Sequence, residues 1–142
     1  MRKNNISRGD IFYVTDNPER PETGAEIWAN RPALIVSNDV FNNTSNVVQI
    51  VYLSTSAKKK PNPTHIFVKS GAKTAIALCE QIHTVDMSRL TDYIGHATIE
   101  EMNDIDGALL FTLQINHGKN PQGIFKKYQK QLDKYLLAED PQ

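Results

Sequence analysis

The segment VVQIVYLSTS, residues 47–56, decides the fold class of this 142-residue chain. Its first part is rich in Val and Ile and carries a Tyr, a composition typical of a strand buried on both faces of a sheet. The hydroxyl residues at its end place a polar turn directly after the buried run. We therefore interpret the segment as the central strand of a β-sheet.

Further short strand patterns lie on both sides of this segment, and no helical pattern separates them. Turn-forming residues divide the patterns, for example at Gly9, at Gly71 and at residues 38–39 and 42–44. Six or so short strands within about 90 residues predict an antiparallel barrel or sandwich. The predicted strands cover residues 11–14, 32–37, 47–53, 65–68, 75–79, 81–85 and 93–97, with 75–79 and 81–85 forming one strand or two.

The last third of the chain changes to a helical period. Thr98 and Glu101 have the spacing of a capping box, with a hydroxyl at the cap and a carboxylate three residues later. The apolar residues that follow, from Ile99 to Leu113, lie 3 or 4 positions apart, which predicts an amphipathic helix. A break at 116–120 and a second apolar stripe predict an additional helix over residues 119–138. The main domain is expected to span residues 7–116.

Composition excludes several classes of protein. Sixteen Lys and Arg balance sixteen Asp and Glu, so any contact with nucleic acid has to come from a local basic patch. The single cysteine, Cys79, excludes an internal disulfide and a multi-cysteine zinc site, and we interpret it as a small buried apolar residue. No run of about 18 apolar residues and no secretory signal is visible, so we expect a cytosolic, cytoplasmic protein.

Polar residues at predicted strand ends are the first candidates for function. Ser54 and Thr55 end the central strand beside a lysine-rich loop that includes Lys58, a combination that suits either phosphate binding or a solvated polar turn. Arg31 follows a long loop and either binds phosphate through its planar fork or forms a surface ion pair. Trp28 in that loop is either a stacking platform for a base or an apolar anchor.

Three more residues stand out in the second half of the predicted sheet. His65 follows the lysine-rich loop, where it either contacts a phosphate, moves a proton or is an ordinary strand histidine. Glu80 and Gln81 interrupt an apolar strand, which indicates that they face a cleft or an interface. The four histidines and the carboxylates show no metal-binding spacing, so we expect no metal site.

Five segments in the same order resemble the MazF/PemK family, the mRNA-cleaving toxins of bacterial toxin–antitoxin pairs. The resemblance covers about residues 7–116, and the predicted helix at 119–138 lies outside it. The segments are RGDIFYV (8–14), RPALIVSND (31–39), VVQIVYLSTS (47–56), PTHIFV (63–68) and CEQIHTVDMSRLTDYIGH (79–96).

This resemblance implies a mainly β fold, an SH3-like small antiparallel barrel of the MazF/Kid/CcdB type with C-terminal helices. It also implies a metal-independent endoribonuclease that cuts single-stranded RNA and needs no cofactor. The implied partners are a second copy of the chain in a homodimer and a cognate antitoxin, and no membrane contact is expected. Two rival functions are a CcdB-like non-enzymatic toxin and a catalytically inactive binding module of the same fold. The helix at 119–138 either packs on the domain or adds RNA affinity through its lysines.

The resemblance also implies roles for individual residues. Arg31 matches the catalytic arginine of the family, and Ser54 takes the place of its catalytic threonine, with Thr55 as the alternative. Glu26 matches a glutamate of the first loop, and His65 matches a histidine of the MazF branch.

The later strand departs from the PemK/Kid branch of the family. Leu78 replaces an acid–base arginine of that branch, Glu80 stands for its aspartate, and Ala25 occupies the position of its loop histidine. These departures favour a MazF-type site centred on Arg31. The residues expected to contact RNA are Trp28, Lys58, His65, Glu80 and Gln81.

Overall fold

The structure is a computed structural model, and it describes residues 5–15, 30–55 and 62–115. These residues form six strands and two α-helices, and a single 3-10 turn links the last two strands. In chain order the elements are β1 (Asp10–Val14), β2 (Arg31–Ile35), α1 (Asp39–Thr44), β3 (Val47–Ser54), β4 (His65–Ser70), β5 (Lys73–Asp86), the 3-10 turn (Met87–Arg89), β6 (Leu90–His96) and α2 (Ile99–Thr112).

All six strands belong to one curled antiparallel sheet, a half-barrel with the strand order β4-β5-β3-β2-β1-β6. The predicted barrel-type fold is therefore confirmed. As predicted, β3 is central and largely buried on both faces, because β2 and β5 pair with its two edges. The two apolar patterns at 75–79 and 81–85 belong to one strand, β5.

The strand β5 has a bulge in its middle, at which the strand bends. Val51 of β3 pairs with Ile82 and Leu53 pairs with Ala77, so residues 78–81 of β5 lie opposite the single residue Tyr52. Extra residues on one strand break the ladder and increase the local twist. The polar pair that interrupts the apolar pattern, at positions 80 and 81, lies at this bend.

Apolar residues from alternate strand positions form two clusters, one on each face of the sheet. The first lies under α2 and includes Leu34, Val51 and Ala77, together with Ile105 and Ala108 of the helix. The second lies on the opposite face and includes Ala33, Ile35, Ile50, Tyr52 and Ile76. We call these the helix-side cluster and the far-side cluster.

The capping box predicted at the start of α2 is present. Thr98 accepts a hydrogen bond from the backbone of Glu101, whose carboxylate accepts one from the backbone of Thr98. The predicted apolar stripe is only partly buried, since Ile105 is buried whereas Ile99 and Leu113 at the two ends are exposed. None of the helices in the described part of the chain is long and apolar enough to cross a membrane.

The turn chemistry predicted at residues 38–44 forms the short helix α1 instead. The Asn38 side chain accepts a hydrogen bond from the backbone N–H of Phe41 and thereby caps the helix. The fully buried Asn42 is hydrogen-bonded to both the hydroxyl and the backbone carbonyl of Ser37. The polar residues thus cap and anchor a helical turn, which their local sequence alone does not distinguish from a loop.

Residues 8–10, where β1 begins, link this strand to α2 and to β6. Arg8 forms an ion pair with Asp106 of α2 at 2.8 Å, and Asp10 lies 2.7 Å from Nδ1 of His96 on β6. Gly9 between them has a φ of +97°, and a Cβ there would lie 3.0 Å from the His96 ring. Both the left-handed backbone and the close approach therefore require glycine.

Candidate active site

Arg31, Ser54 and Thr55, the three described residues among those predicted to be catalytic, line one pocket. The pocket has a volume of about 430 Å³ and lies where β2 begins and β3 ends. Antiparallel pairing brings these residues together, because β2 begins at the same end of the strand pair at which β3 ends. The remaining lining residues are Tyr13, Asn30, Pro32, Leu53, Ser70, Lys73, Ala75 and Ile94.

The strand register distinguishes the two hydroxyl residues. Leu34 pairs with Val51 and Ala33 with Tyr52, and continuing this register by two residues places Arg31 opposite Ser54. Arg31 and Ser54 therefore lie side by side on the same face of the sheet. Thr55 is exposed and follows the end of β3, outside this pairing.

Arg31 is half-buried, and the strand holds its backbone in a fixed position. Its Nε is inaccessible to solvent and has no hydrogen-bond partner within residues 5–15, 30–55 and 62–115. A buried N–H without a partner is unfavourable unless a ligand or another group satisfies it. A guanidinium in this position is suited to bind a phosphate through two parallel hydrogen bonds.

The pocket contains a second cation that the sequence did not single out. Lys73 is the first residue of β5 and lines the pocket together with Arg31, and Ser70 and Tyr13 add hydroxyl groups. These residues come from β1, β4 and β5, and no local motif connects them with Arg31. Only the pairing of the strands reveals that the pocket combines two positive charges with several hydroxyl donors.

His65 and Glu80 form a second polar group, outside the lining of the pocket. Nε2 of His65 lies 3.1 Å from one carboxylate oxygen of Glu80, and the Thr64 hydroxyl donates to the other oxygen at 2.9 Å. Partial burial by itself raises the pKa of Glu80, but the hydrogen bonds and charge from His65, its backbone and Thr64 outweigh that effect and hold the pKa below 4.5. Glu80 is therefore a carboxylate at neutral pH.

Gln81 lies next to this group at the bend of β5. Its side chain is half-buried, and its Oε1 is inaccessible to solvent with no partner in the part of the chain that the structure describes. The sequence left a cleft and an interface open as explanations for the polar pair. Glu80 is accounted for by its contacts with His65 and Thr64, whereas no described residue satisfies the Oε1 of Gln81.

Three of the predicted site residues, Glu26, Trp28 and Lys58, lie outside the described residues. The same holds for Ala25, for the rest of the lysine-rich loop and for the predicted helix at 119–138. Their assignments remain predictions from the sequence and from the family resemblance.

Cys79 is fully buried under α2, in the helix-side cluster. Burial, together with the neighbouring charge of Glu80, raises the pKa of its thiol to about 12. The thiol is thus protonated at neutral pH, which agrees with the interpretation of Cys79 as a small apolar residue. Over the described ranges, no three His, Cys, Asp or Glu side chains are grouped so that they could hold a metal ion.

The fold is shared with solved toxin structures. An endoribonuclease from a mycobacterial species superimposes with a TM-score of 0.65 at 27% identity, and the match covers 81% of this chain and 97% of that one. MazF from Deinococcus radiodurans superimposes with a TM-score of 0.66 at 20% identity, covering 78% of this chain and 97% of the other.

The sequence comparisons agree with the structural ones. Endoribonuclease EndoA of Bacillus subtilis (strain 168) is 31% identical over 114 residues, which span 78% of this chain and 96% of that protein. The profile of the family described as PemK-like, MazF-like toxin of type II toxin–antitoxin system matches residues 7–113. The chain therefore belongs to this toxin family, as the five segments predicted.

Proposed function

We propose that the protein is a sequence-specific endoribonuclease toxin, an mRNA interferase of a type II toxin–antitoxin system. The observation that carries the proposal is the position of Arg31 opposite Ser54 at the rim of a pocket with a second cation, Lys73. A paired guanidinium and hydroxyl at a cationic pocket suit a phosphodiester. Membership of the toxin family and the similarity to Endoribonuclease EndoA support the same conclusion.

The proposed reaction uses the RNA itself as the source of the nucleophile. The 2′-oxygen attacks the adjacent phosphorus and loses its proton to a base, the bond from phosphorus to the 5′-oxygen breaks, and that oxygen receives a proton. The products are a 2′,3′-cyclic phosphate and a 5′-hydroxyl end. Such a reaction requires positioning and charge stabilisation but neither a protein nucleophile nor a metal.

Each described site residue has a role in this proposal. Arg31 and the hydroxyl of Ser54 or Thr55 donate hydrogen bonds to the nonbridging phosphate oxygens, where negative charge develops. His65 is one candidate for the base that accepts the 2′-hydroxyl proton, and Glu80 positions its ring through the 3.1 Å contact. Glu26, in the first loop, is the other candidate.

The specificity of the proposed nuclease would come from contacts with unstacked bases. Gln81 is suited to this role, because the buried Oε1 at the bend of β5 accepts no hydrogen bond from a described residue. Trp28 and Lys58 remain candidates from the sequence for base stacking and phosphate binding. The family domain over residues 7–116 and the additional helix over 119–138 are retained as the proposed domain organisation.

We further propose that the protein acts in the cytoplasm as a homodimer and is held inactive by a cognate antitoxin. The proposal of an antitoxin is supported by a solved mycobacterial endoribonuclease in complex with its cognate antitoxin, which is 28% identical to this chain. The cationic pocket around Arg31 and Lys73 suits an acidic partner segment that competes with RNA.

Incubation of the purified protein with mRNA in excess EDTA tests the proposal. The expected result is cleavage at a short recurrent sequence, with 5′-hydroxyl and 2′,3′-cyclic phosphate ends that sequencing of the fragment ends identifies. Intact RNA from a protein that still arrests growth would favour the CcdB-like alternative, and intact RNA without growth arrest would favour an inactive module. Activity lost with chelator and restored by a divalent metal would contradict the proposed chemistry.

A further inference from the structure

A row of neighbouring residues runs across the sheet from the candidate active site to its far edge, and its step from Arg31 to Ser54 follows from extending the pairing of Ala33 with Tyr52 by two residues. Val14 pairs with Arg31, Ser54 pairs with Ile76, and Ile76 pairs with Phe67 of the edge strand β4. Directly paired residues in antiparallel strands project to the same face. Phe67 therefore lies on the same face as Arg31 and Ser54, two strands or about 10 Å from Ser54.

The ring of Phe67 is unusually exposed for its place in this row. Its exposed fraction is 58%, whereas Ile76 beside it is 7% exposed and Ser54 is also 7% exposed. Helix α2 packs against the other face of the sheet, on the helix-side cluster, and so leaves this ring uncovered. Phe67 is the sole large apolar side chain exposed on β4 and β5, both of which the structure describes in full.

Polar and charged side chains lie on either side of the ring. His65 and Lys69 are two residues before and two residues after Phe67 on the same strand, so all three side chains project to one face at intervals of about 6.6 Å. An aromatic ring flanked by cationic or hydrogen-bonding groups is the arrangement that proteins use to bind single-stranded nucleic acid. An isolated ring also provides far less area than a stable protein interface buries.

We propose that Phe67 is the stacking platform of a separate base-binding subsite for single-stranded RNA, with Lys69 as its phosphate contact. The base belongs to a nucleotide that flanks the scissile phosphate. This inference rests on the proposed function, because it extends the path of the same substrate. The register that places Phe67 on the same face as Ser54 and Arg31, together with the charge of Lys69, favours RNA as the occupant.

Binding of an uncleavable RNA tests the subsite separately from catalysis. The probe is a short fluorescent RNA with the mapped cleavage sequence and a deoxyribose at the cut, and its Kd is measured by anisotropy. Phe67→Ala should raise the Kd by about 5- to 150-fold, the usual range for the loss of one base–aromatic stack. Phe67→Tyr keeps the ring and should stay within about twofold of the wild type.

Two further variants sharpen the measurement. Tyr93→Ala is the matched control, because Tyr93 is 60% exposed on β6 at the opposite edge of the sheet and should bind RNA as the wild type does. Lys69→Ala should reduce the slope of log Kd against log salt concentration by about 0.7, the value for one phosphate contact on a single strand.

Several results would overturn the inference. If the wild-type protein cleaves RNA but Phe67→Ala binds the RNA probe with an unchanged Kd, the subsite proposal is wrong and the proposed function still holds. If Phe67→Ala changed the molecular mass measured by light scattering, Phe67 would belong to a self-association surface instead. If Phe67→Ala lost antitoxin binding and kept RNA binding, Phe67 would belong to the antitoxin surface. A wild-type protein that neither binds nor cuts RNA would remove both the subsite and the proposed function.

Discussion

Nε2 of His65 lies 3.1 Å from a carboxylate oxygen of Glu80, which joins the first residue of β4 to the bend in β5. Thr64 donates to the other oxygen of the same carboxylate. The pairing of β4 with β5 brings these groups together, because His65 pairs with Leu78 and Glu80 lies two residues further along β5 on the same face. One carboxylate thus both stabilises an irregular strand and orients a candidate catalytic histidine.

The first prediction concerns the pH dependence of stability. Because the folded state lowers the pKa of Glu80, its contribution is fully present above the ordinary value of 4.5 and is lost as the pH falls through the lower folded value. Glu80→Gln should therefore be less stable than the wild type at pH 7, and the difference should shrink below pH 4.5. Urea unfolding at a series of pH values measures this.

A double variant checks the cause of that effect. In a His65→Gln background, Glu80→Gln should change the free energy of unfolding by less than it does in the wild type, because the main partner is already gone. Equal effects of Glu80→Gln in both backgrounds would show that His65 does not stabilise the carboxylate.

The second prediction concerns Arg31. Arg31→Ala should lower the cleavage rate by about 10²-fold or more, as is usual when a donor to a developing negative charge is lost. Arg31→Lys should be nearly as inactive, because an ammonium does not form two parallel hydrogen bonds. Single-turnover cleavage gives the rates, and circular dichroism confirms that the variants fold. Full activity in a folded Arg31→Ala protein would remove Arg31 from the mechanism.

The third prediction separates the two hydroxyl residues of the pocket. Ser54 lies opposite Arg31 in the sheet register, whereas Thr55 follows the end of β3 and is exposed. Ser54→Ala should therefore reduce the single-turnover rate by about 10²-fold, and Thr55→Ala should reduce it by less than about tenfold. The reverse order would assign the phosphate contact to Thr55 and show that the register does not determine which hydroxyl acts.

The fourth prediction concerns the thiol of Cys79. Burial raises its pKa to about 12, so the native protein should not react with Ellman's reagent at pH 8. In a denaturant that unfolds the chain, one thiol per molecule should react rapidly, since the sequence has a single cysteine. Cys79→Ala provides the blank for both measurements. Rapid reaction of the native protein would show that α2 does not shield the thiol.

Much of the fold could be predicted because its signals are local. The apolar run of β3 and the capping box of Thr98 and Glu101 each depend on residues close together in the chain. Residues 38–44 were the exception, because the helix α1 includes the fully buried Asn42, and burial of a polar side chain is decided by tertiary packing. The local signal of asparagines was compatible with both a turn and a capped helix.

The candidate site could be predicted only in part. Arg31, Ser54 and Thr55 were identified by the order of the family segments, and the pocket brings these three together. Tyr13 and Lys73 carry no local signal, since a lysine at a strand start is an ordinary surface residue in most proteins. Their place in the pocket follows from strand pairing.

By itself, the sequence determined the identity of the strands, the capped helix α2 and the toxin family, because periodicity, capping and segment order are properties of the chain. Only the tertiary structure decided which residues share a face and an edge of the sheet. The register that places Ser54 opposite Arg31 and Phe67 beside Ile76 is set by hydrogen bonds between strands distant in sequence, and the bend at 78–81 shifts it. A slip of one residue would turn each of these side chains to the other face.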